Sequence, residues 1–325
     1  MKVLPLAFDS LGVRSMCTLV ETGRLRLLLD PGVALGPTRY GLGPTPEEWR
    51  ALELSRALIM EAAGRVEVVA VTHYHYDHHP FPDDLEMYRA CFGEKTVLAK
   101  DRKRNINLSG RKRGALFEER AAPLAKRLEW ADGREFEVGE RVLVSPSVWH
   151  GDVGSRVGRV VMVHVEKGGF LFGSDAQGLA DPEALKWVLE RNPEFMILDG
   201  YPTLFVGWRM SQRAFEASKE NLKRAVGETD AETILLDHHL LRDLRYREKM
   251  EDVFSLAERK GKRLLSAAEF LGLENLFLEA WRRELSEGKR RVEVEGYYRG
   301  LCQRVGVPFS SLRGKGGRER RLEEE

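Results

Sequence analysis

The sequence predicts a layered α/β fold with a mixed sheet on each side of one core. Three observations lead there. Strand signals come first, then strands alternating with helices, then strands and helices again, which is the order of a layered α/β chain. At 325 residues and 42% hydrophobic content, the chain is long enough for a large core. Val66 to Thr72 is a nearly unbroken apolar run, which reads as a strand buried on both faces.

The elements follow in order. Val13–Glu21 and Leu25–Leu29 read as early antiparallel strands, closed by the turn Asp30-Pro31-Gly32. Residues 36–46 are a Gly/Pro-rich loop. A helix starts after it, with Thr45 as N-cap, Pro46 at the first helical position and Glu48 completing a capping box, and runs to about Ala63. Pro82–Cys91 reads as helix, Thr96–Ala99 as a short strand and 100–114 as a basic, Gly-punctuated loop. Gly114–Leu128 reads as a helix that Pro123 must kink or interrupt. Arg141–Ser145, Val157–Glu166 and Phe170–Gly173 read as strands, the last two joined at Lys167-Gly168-Gly169. Asp181-Pro182 opens a helix. Strand Glu194–Leu198, helix Ser211–Val226 and strand Thr233–Leu236 follow. Helices then dominate to about residue 287, with Phe277, Ala280, Trp281 and Leu285 on one side of a helix over Glu274–Glu287. From Arg313 the apolar content is too low for a packed structure, which predicts a disordered tail over 312–325.

Composition narrows the function classes. No apolar stretch approaches the roughly 18 residues of a membrane span, and the N-terminal apolar run is too short for a signal peptide. Three scattered cysteines, Cys17, Cys91 and Cys302, predict a reducing cytoplasm and no disulfide framework. Charged residues reach 32%, while Asn and Gln are scarce, a thermophile's balance. Net charge is only +1, yet Lys95–Arg127 holds eleven Lys/Arg against three acids. That basic stretch has two readings: a solvated face, or an anion clamp made by Arg102, Lys103, Arg104, Arg111, Lys112 and Arg113. Phe117 is its only aromatic residue, which weakens a single-strand nucleic-acid reading.

Residues 73–78 read His-Tyr-His-Tyr-Asp-His and follow the buried strand directly. Three imidazoles and a carboxylate are costly to desolvate there unless something binds them. His73 and His75, two apart, project to one side of an extended segment and can bind one metal. Asp77 and His78 come where the chain turns and can hold a second. His150, Asp175 and His238 each follow a predicted strand, the place where sites gather in α/β sheets. Seven such groups suffice for two metals with three protein ligands each and a bridging carboxylate. Imidazole and carboxylate without thiolate suit zinc, with manganese or iron as alternatives. His164, inside a predicted strand, reads as a sheet-face residue. Asp199 reads either as an outer partner of a ligand or as a loop cap.

The segment resembles the His-x-His-x-Asp-His signature of the metallo-β-lactamase superfamily, and His150, Asp175 and His238 resemble its later motifs in the same order. The whole chain also looks like an uncharacterised archaeal family within that superfamily. The resemblance spans roughly residues 1–240. It implies a four-layer αββα sandwich as the catalytic domain; beyond it, residues 241–311 are expected to form a helical extension packed on that domain. It also implies that His73, His75 and His150 hold one metal, that Asp77, His78 and His238 hold the other, and that Asp175 bridges them. Asp30 matches a further family feature and either orients a ligand histidine or forms a plain turn. Two departures stand out. The motif continues His79-Pro80-Phe81-Pro82 where glycines are common, which should reshape the lip of the site. Asp237-His238-His239 offers two histidines; the family offset favours His238 and leaves His239 open.

The implied activity is a two-metal hydrolase whose metal-bridging hydroxide attacks an anionic ester, a phosphodiester in the first place, with Asp77 also orienting the nucleophile. The 25 residues between His150 and Asp175 leave no room for a tRNA-binding arm, and the 63 between Asp175 and His238 none for the large nucleic-acid-processing insertion of another branch. The partner expected is a small anionic substrate or a nucleic acid, with a homo-oligomer left open. Two alternatives stand beside this reading. One is an iron redox enzyme, although the diiron flavoprotein branch usually carries Glu at the place of His75. The other is a non-catalytic nucleic-acid-binding relative, although such relatives commonly lose ligands that this chain keeps.

Overall fold

The computed structural model describes residues 1–312, and it shows the expected mixed α/β class. The expected tail from Arg313 lies outside the described residues. The chain divides into two compact units. One comprises Lys2–Leu98, Arg113–Glu129 and residues 267–312; the other comprises Ala99–Lys112 and Trp130–Ser266, with Met1. The expected catalytic span 1–240 contributes to both.

The first unit is built on a six-stranded sheet of β1 (Lys2–Phe8), β2 (Met16–Glu21), β3 (Arg26–Leu29), β4 (Val68–Val71), β5 (Thr96–Ala99) and β6 (Arg127–Trp130), in that spatial order. β1 to β3 pair antiparallel, and β4 joins β3 in parallel with Leu29 opposite Ala70. Helix α1 (Pro46–Ala63) begins with the predicted capping box: Glu48 N–H donates to Thr45 Oγ1, and Glu48 Oε2 accepts from Thr45 N–H at 2.9 Å. Asp84 caps α2 (Leu85–Phe92) by accepting from Met87 N–H at 3.0 Å. Helix α3 (Leu108–Ala121) corrects the sequence reading at both ends. Asn107 Oδ1 accepts from Gly110 N–H at 2.7 Å and starts the helix inside the expected loop, so Arg111, Lys112 and Arg113 are helical. The helix stops at Ala121, ahead of Pro123, and residues expected to continue it form the strand β6.

The second unit carries a seven-stranded mixed sheet. Its strands are β7 (Glu135–Glu137), β8 (Arg141–Val144), β11 (Val163–Val165), β12 (Phe170–Phe172), β13 (Phe195–Asp199), β14 (Thr233–Asp237) and β15 (Arg263–Leu265). The expected single strand over 157–166 is two, β10 (Arg159–Val160) and β11; β10 leaves the sheet to pair with β9 (Val148–Trp149). From β12 to β15 the strands are parallel, and from β12 to β7 antiparallel. Helix α4 (Pro182–Arg191) is capped by Asp181, and α5 (Gln212–Glu228) by Ser211. Two further helices, α6 (Tyr246–Lys249) and α7 (Glu251–Arg259), precede β15, a strand within the segment expected to be helical.

From Ala267 the chain belongs to the first unit again, with α8 (Ala267–Phe270), α9 (Arg282–Ser286) and α10 (Val294–Val305). The helix expected over Glu274–Glu287 is only α9. Upstream of it, Leu276 N–H donates to Ser10 O at 2.8 Å, a tertiary bond that takes the backbone out of the helical ladder. Arg282 is fully buried and binds both oxygens of the buried Glu48, at 2.7 Å and 2.9 Å, plus Gly36 O at 2.7 Å and Leu42 O at 3.0 Å. It therefore ties the Gly/Pro-rich loop and the α1 cap to the C-terminal segment.

His164 is on β11, as expected for a sheet-face residue. It is 6% exposed, packs edge-on to Trp187 at 6.4 Å, and neither ring nitrogen has a hydrogen-bond partner among the described residues. Burial, with the nearby Arg191, pushes its pKa down to about 4. The folded state thus keeps a neutral imidazole. Below the unfolded value of about 6.5 the unfolded chain takes the proton first, so stability is full above that pH and falls as pH drops toward about 4. The loss is expected to approach roughly 3 kcal/mol. Denaturant unfolding at several pH values checks this; an unchanged pH slope in His164→Gln would refute it.

Candidate metal centre

In the first unit, parallel pairing of β3 and β4 brings Asp30, at the end of β3, beside the start of the His73–His79 turn. Asp30 is buried in the left-handed region (φ 45°). Its Oδ1 accepts from Thr72 N–H at 2.8 Å, and its Oδ2 accepts from Thr72 Oγ1 at 2.6 Å and lies 2.8 Å from His78 Nδ1. Because the carboxylate can only accept, His78 Nδ1 carries the proton, leaving Nε2 as the lone-pair nitrogen. Thr72 Oγ1, having given its proton to Asp30, accepts from His73 Nδ1 at 3.3 Å. His73 is left with Nε2 as its lone-pair nitrogen as well. One buried carboxylate thus fixes the tautomers of two histidines, the arrangement outer partners give to metal ligands.

His73 Nε2 faces His75 Nδ1 at 3.0 Å, and His78 Nε2 lies 3.8 Å from Asp77 Oδ1. His73, Asp77 and His78 are buried, and His75 is half-buried. Gly32 makes the approach fit: a Cβ there would stand 2.2 Å from His79 N and 2.6 Å from His78 N. Asp30, expected either to orient a ligand histidine or to form a plain turn, contacts His78 directly; the parts of Gly32 and Thr72 were missed in the sequence. His79 is fully buried and not part of a rim. Tyr88 Oη lies 3.3 Å from its Nδ1, the Tyr74, Tyr76 and Phe117 rings lie within 5.3–5.8 Å, and burial pushes its pKa down to about 3.

In the second unit the candidates again sit at strand ends. His150 follows β9, Asp175 follows β12, and His238 and His239 follow β14. Asp175 is fully buried, and its Oδ2 lies 3.1 Å from His150 Nε2 and 3.6 Å from His238 Nε2. One carboxylate oxygen is therefore flanked by imidazole nitrogens from two different strand ends. Ser174, Gln177 and Leu179 around it, and His238 itself, all have φ between 40° and 60°. Such non-glycine residues cost about 1–3 kcal/mol each and cluster at functional sites. The register that sets Asp199 opposite Asp237 lets Asp199 accept from His239 N–H at 3.1 Å and lie 2.9 Å from His239 Nδ1. Asp199 is thus the partner of a histidine. Burial raises its pKa and lowers that of His239. Asp175, His238 and His239 offer ligand atoms within 4.8 Å of one another.

Lys100 of the basic segment is structural. It is fully buried against Asp132 at 2.6 Å, and the same carboxylate accepts from Ser147 Oγ at 2.6 Å. Lys103 and Arg104 are exposed, Arg102 half-buried, and the Lys103 and Arg104 backbones are held by Asp101. On α3, Arg111 and Lys112 are exposed, whereas the Arg113 guanidinium lies over the Tyr76 ring, 4.7 Å from its centroid.

Over 305 residues the chain is 44% identical to a UPF0282 protein of Thermococcus gammatolerans, covering 91% of this chain and 98% of the relative. The chain belongs to the UPF0282 family. Other UPF0282 relatives come from Methanopyrus kandleri (42% identical, covering 88% and 99%) and Pyrococcus furiosus (39% identical, covering 91% and 95%). These sources are heat-adapted archaea, in line with the charge-rich, amide-poor composition. No family model matches the chain. Among solved structures, it is similar to Igni18, described as a novel metallo hydrolase from Ignicoccus hospitalis, at 12% identity and a TM-score of 0.41, covering 81% of this chain and 93% of that one. It is also similar to the metallo-β-lactamase SMB-1, at 12% identity and a TM-score of 0.33, covering 88% and 95%.

His238 and His239 of this UPF0282 chain divide the candidate roles. His238 faces Asp175, and His239 has the outer carboxylate. His238→Ala is expected to lose one metal equivalent on elemental analysis. Full content there, with loss in His239→Ala, moves the role to His239.

Proposed function

We propose that the chain is a metal-dependent hydrolase in which His73, His75, Asp77, His78, His150, Asp175 and His238 hold two divalent ions, zinc first among the candidates. One observation carries this reading. Buried imidazole nitrogens face other imidazole nitrogens or carboxylate oxygens at 3.0–3.8 Å, with their opposite nitrogens on His73 and His78 committed to hydrogen bonds. Lone pairs that converge in a dry setting repel unless a cation stands among them. The donor set, five imidazoles and two carboxylates without thiolate, fits zinc, manganese or iron.

When bound, such ions lower the pKa of a water and neutralise charge growing on an ester's oxygens. The chain's own residues do the rest. Asp30, through Thr72 and directly, holds His73 and His78 in the ligating tautomer. Asp77 orients the attacking water and can take its proton. The substrate proposed is an anionic ester, a phosphodiester in the first place, because the strongly basic stretch Lys95–Arg127 lies between the His78 and His150 motifs. Among the described residues no helix is long and apolar enough to cross a membrane.

The test is elemental analysis of the purified protein together with hydrolysis of bis-p-nitrophenyl phosphate. Two zinc per chain and turnover that vanishes in Asp77→Ala support the reading. Filled metal sites with no hydrolysis of any ester overturn it.

A further inference from the structure

We propose that four loop segments of the second unit form one docking surface for a lipid bilayer carrying anionic headgroups. The segments are 101–112, 151–158, 200–211 and 243–245, all within that unit. Side-chain hydrogen bonds join them. Asn107 Nδ2 donates to Arg156 O and to Val157 O, each at 2.8 Å. The buried Tyr201 donates through its Oη to Asp152 at 3.1 Å, and Thr203 Oγ1 donates to Asp243 at 2.8 Å. Lys249 Nζ closes the base, donating to Thr203 O at 3.0 Å and to Asp243 Oδ2 at 2.6 Å. The loops are thus anchored to one another at their bases. The surface needs no metal to be present.

What these loops expose is apolar and basic. Of the nine exposed large apolar side chains among the described residues, five stand on the four segments. Leu108, Val153 and Trp208 are 70%, 63% and 71% exposed, and Val157 and Leu244 nearly half. Such residues scattered singly carry no message, but gathered on bonded loops they mark an interaction site. Trp208 is held out by its own turn. Gly207 N–H donates to Met210 O at 2.9 Å, and the Arg209 guanidinium lies 4.5 Å from the indole centroid. Charge is sorted by direction. The acids of the four segments are Asp101, Asp152 and Asp243, and each is committed to the scaffold: Asp101 accepts from the Lys103 and Arg104 backbones, and the other two accept the bonds above. Lys103, Arg104, Arg111, Lys112 and Arg156 are exposed. Apolar tips interspersed with cations match a bilayer surface, where aliphatic side chains and an indole enter the headgroup boundary while Lys and Arg meet anionic lipid. Two other occupants fit less well. A second copy bound about a two-fold axis would set the same cations against each other. A single nucleic-acid strand stacks on aromatic rings, whereas four of the five exposed apolar side chains here are aliphatic.

The experiment is co-sedimentation of the full chain with unilamellar vesicles of mixed phosphatidylglycerol and phosphatidylcholine, and of phosphatidylcholine alone. The parent is expected to bind the anionic vesicles, to bind the neutral ones roughly tenfold more weakly, and to lose affinity as salt rises. Trp208→Ser is expected to weaken binding to the anionic vesicles roughly tenfold. Lys103→Gln combined with Arg104→Gln should weaken it by about the same factor. Unfolding midpoints should stay unchanged, because all three side chains are exposed. No binding of anionic vesicles by the parent overturns the proposal, and so does unchanged affinity in Trp208→Ser. If Trp208→Ser unfolds, Leu108→Ser combined with Val153→Ser decides by the same readout, and unchanged affinity there overturns the proposal. Polyuridylate bound more tightly than the vesicles, with that binding lost in Trp208→Ser, gives the surface to nucleic acid and overturns it. A dimer on light scattering that Trp208→Ser dissociates gives it to a second copy and overturns it equally.

Discussion

Asp77→Ala is expected to lower kcat/KM for bis-p-nitrophenyl phosphate on the order of 10³-fold, the size of effect seen when a group that stabilises developing charge is removed. The carboxylate is buried, and its Oδ1 lies 3.8 Å from His78 Nε2. Two contributions add. On the proposed reading a ligand oxygen would be lost, and the water would lose the group proposed to orient it and take its proton. Asp77→Asn separates them, because it keeps the shape and an acceptor oxygen but not the charge. It should retain more metal than Asp77→Ala while remaining slow. Each protein should be assayed with its metal content measured. Wild-type turnover in Asp77→Ala at full metal occupancy would sink the assigned role.

Arg282→Met is expected to destabilise the protein by about 3–5 kcal/mol. The guanidinium is fully buried with Glu48, which also closes the capping box of α1. Removing Arg282 leaves a buried carboxylate without its counter-charge and releases the carbonyls of Gly36 and Leu42. Placing Glu48→Leu on top of Arg282→Met should recover part of the loss, because no unpaired charge then remains; the cap bond to Thr45 is not recovered. Guanidinium unfolding of the two single variants and the double variant gives the coupling directly. Additive losses would show that the pair is not the source.

Much of the scaffold was legible because it is written in local chemistry. The box at Thr45 and Glu48, the Asp181-Pro182 start of α4 and the apolar run of β4 each depend on neighbours within a few residues. The ligand candidates were legible for a similar reason. Histidine and aspartate are rare at the ends of buried strands, so His73, His75, Asp77, His78, His150, Asp175 and His238 stand out against an apolar background. The failures occurred where a distant contact overruled a local preference. Asn107 caps a helix that Gly110 and the charge run disguised as a loop. The Leu276–Ser10 bond breaks a segment whose apolar spacing reads as helix. β6 and β15, three or four residues long, take their strand character from a sheet neighbour.

The sequence by itself determined the chemistry available, imidazoles and carboxylates without thiolates, and the strand ends at which they appear. Only the tertiary structure decided which atoms are offered. The register of β3 on β4 puts Asp30 against Thr72 and His78 and so selects the lone-pair nitrogens of His73 and His78. The packing of Phe117 turns α3 so that one arginine of the basic segment, Arg113, lies on the ligand turn. Both depend on contacts between residues 37 to 48 positions apart, and side-chain direction across such a separation is set by packing, not by spacing along the chain.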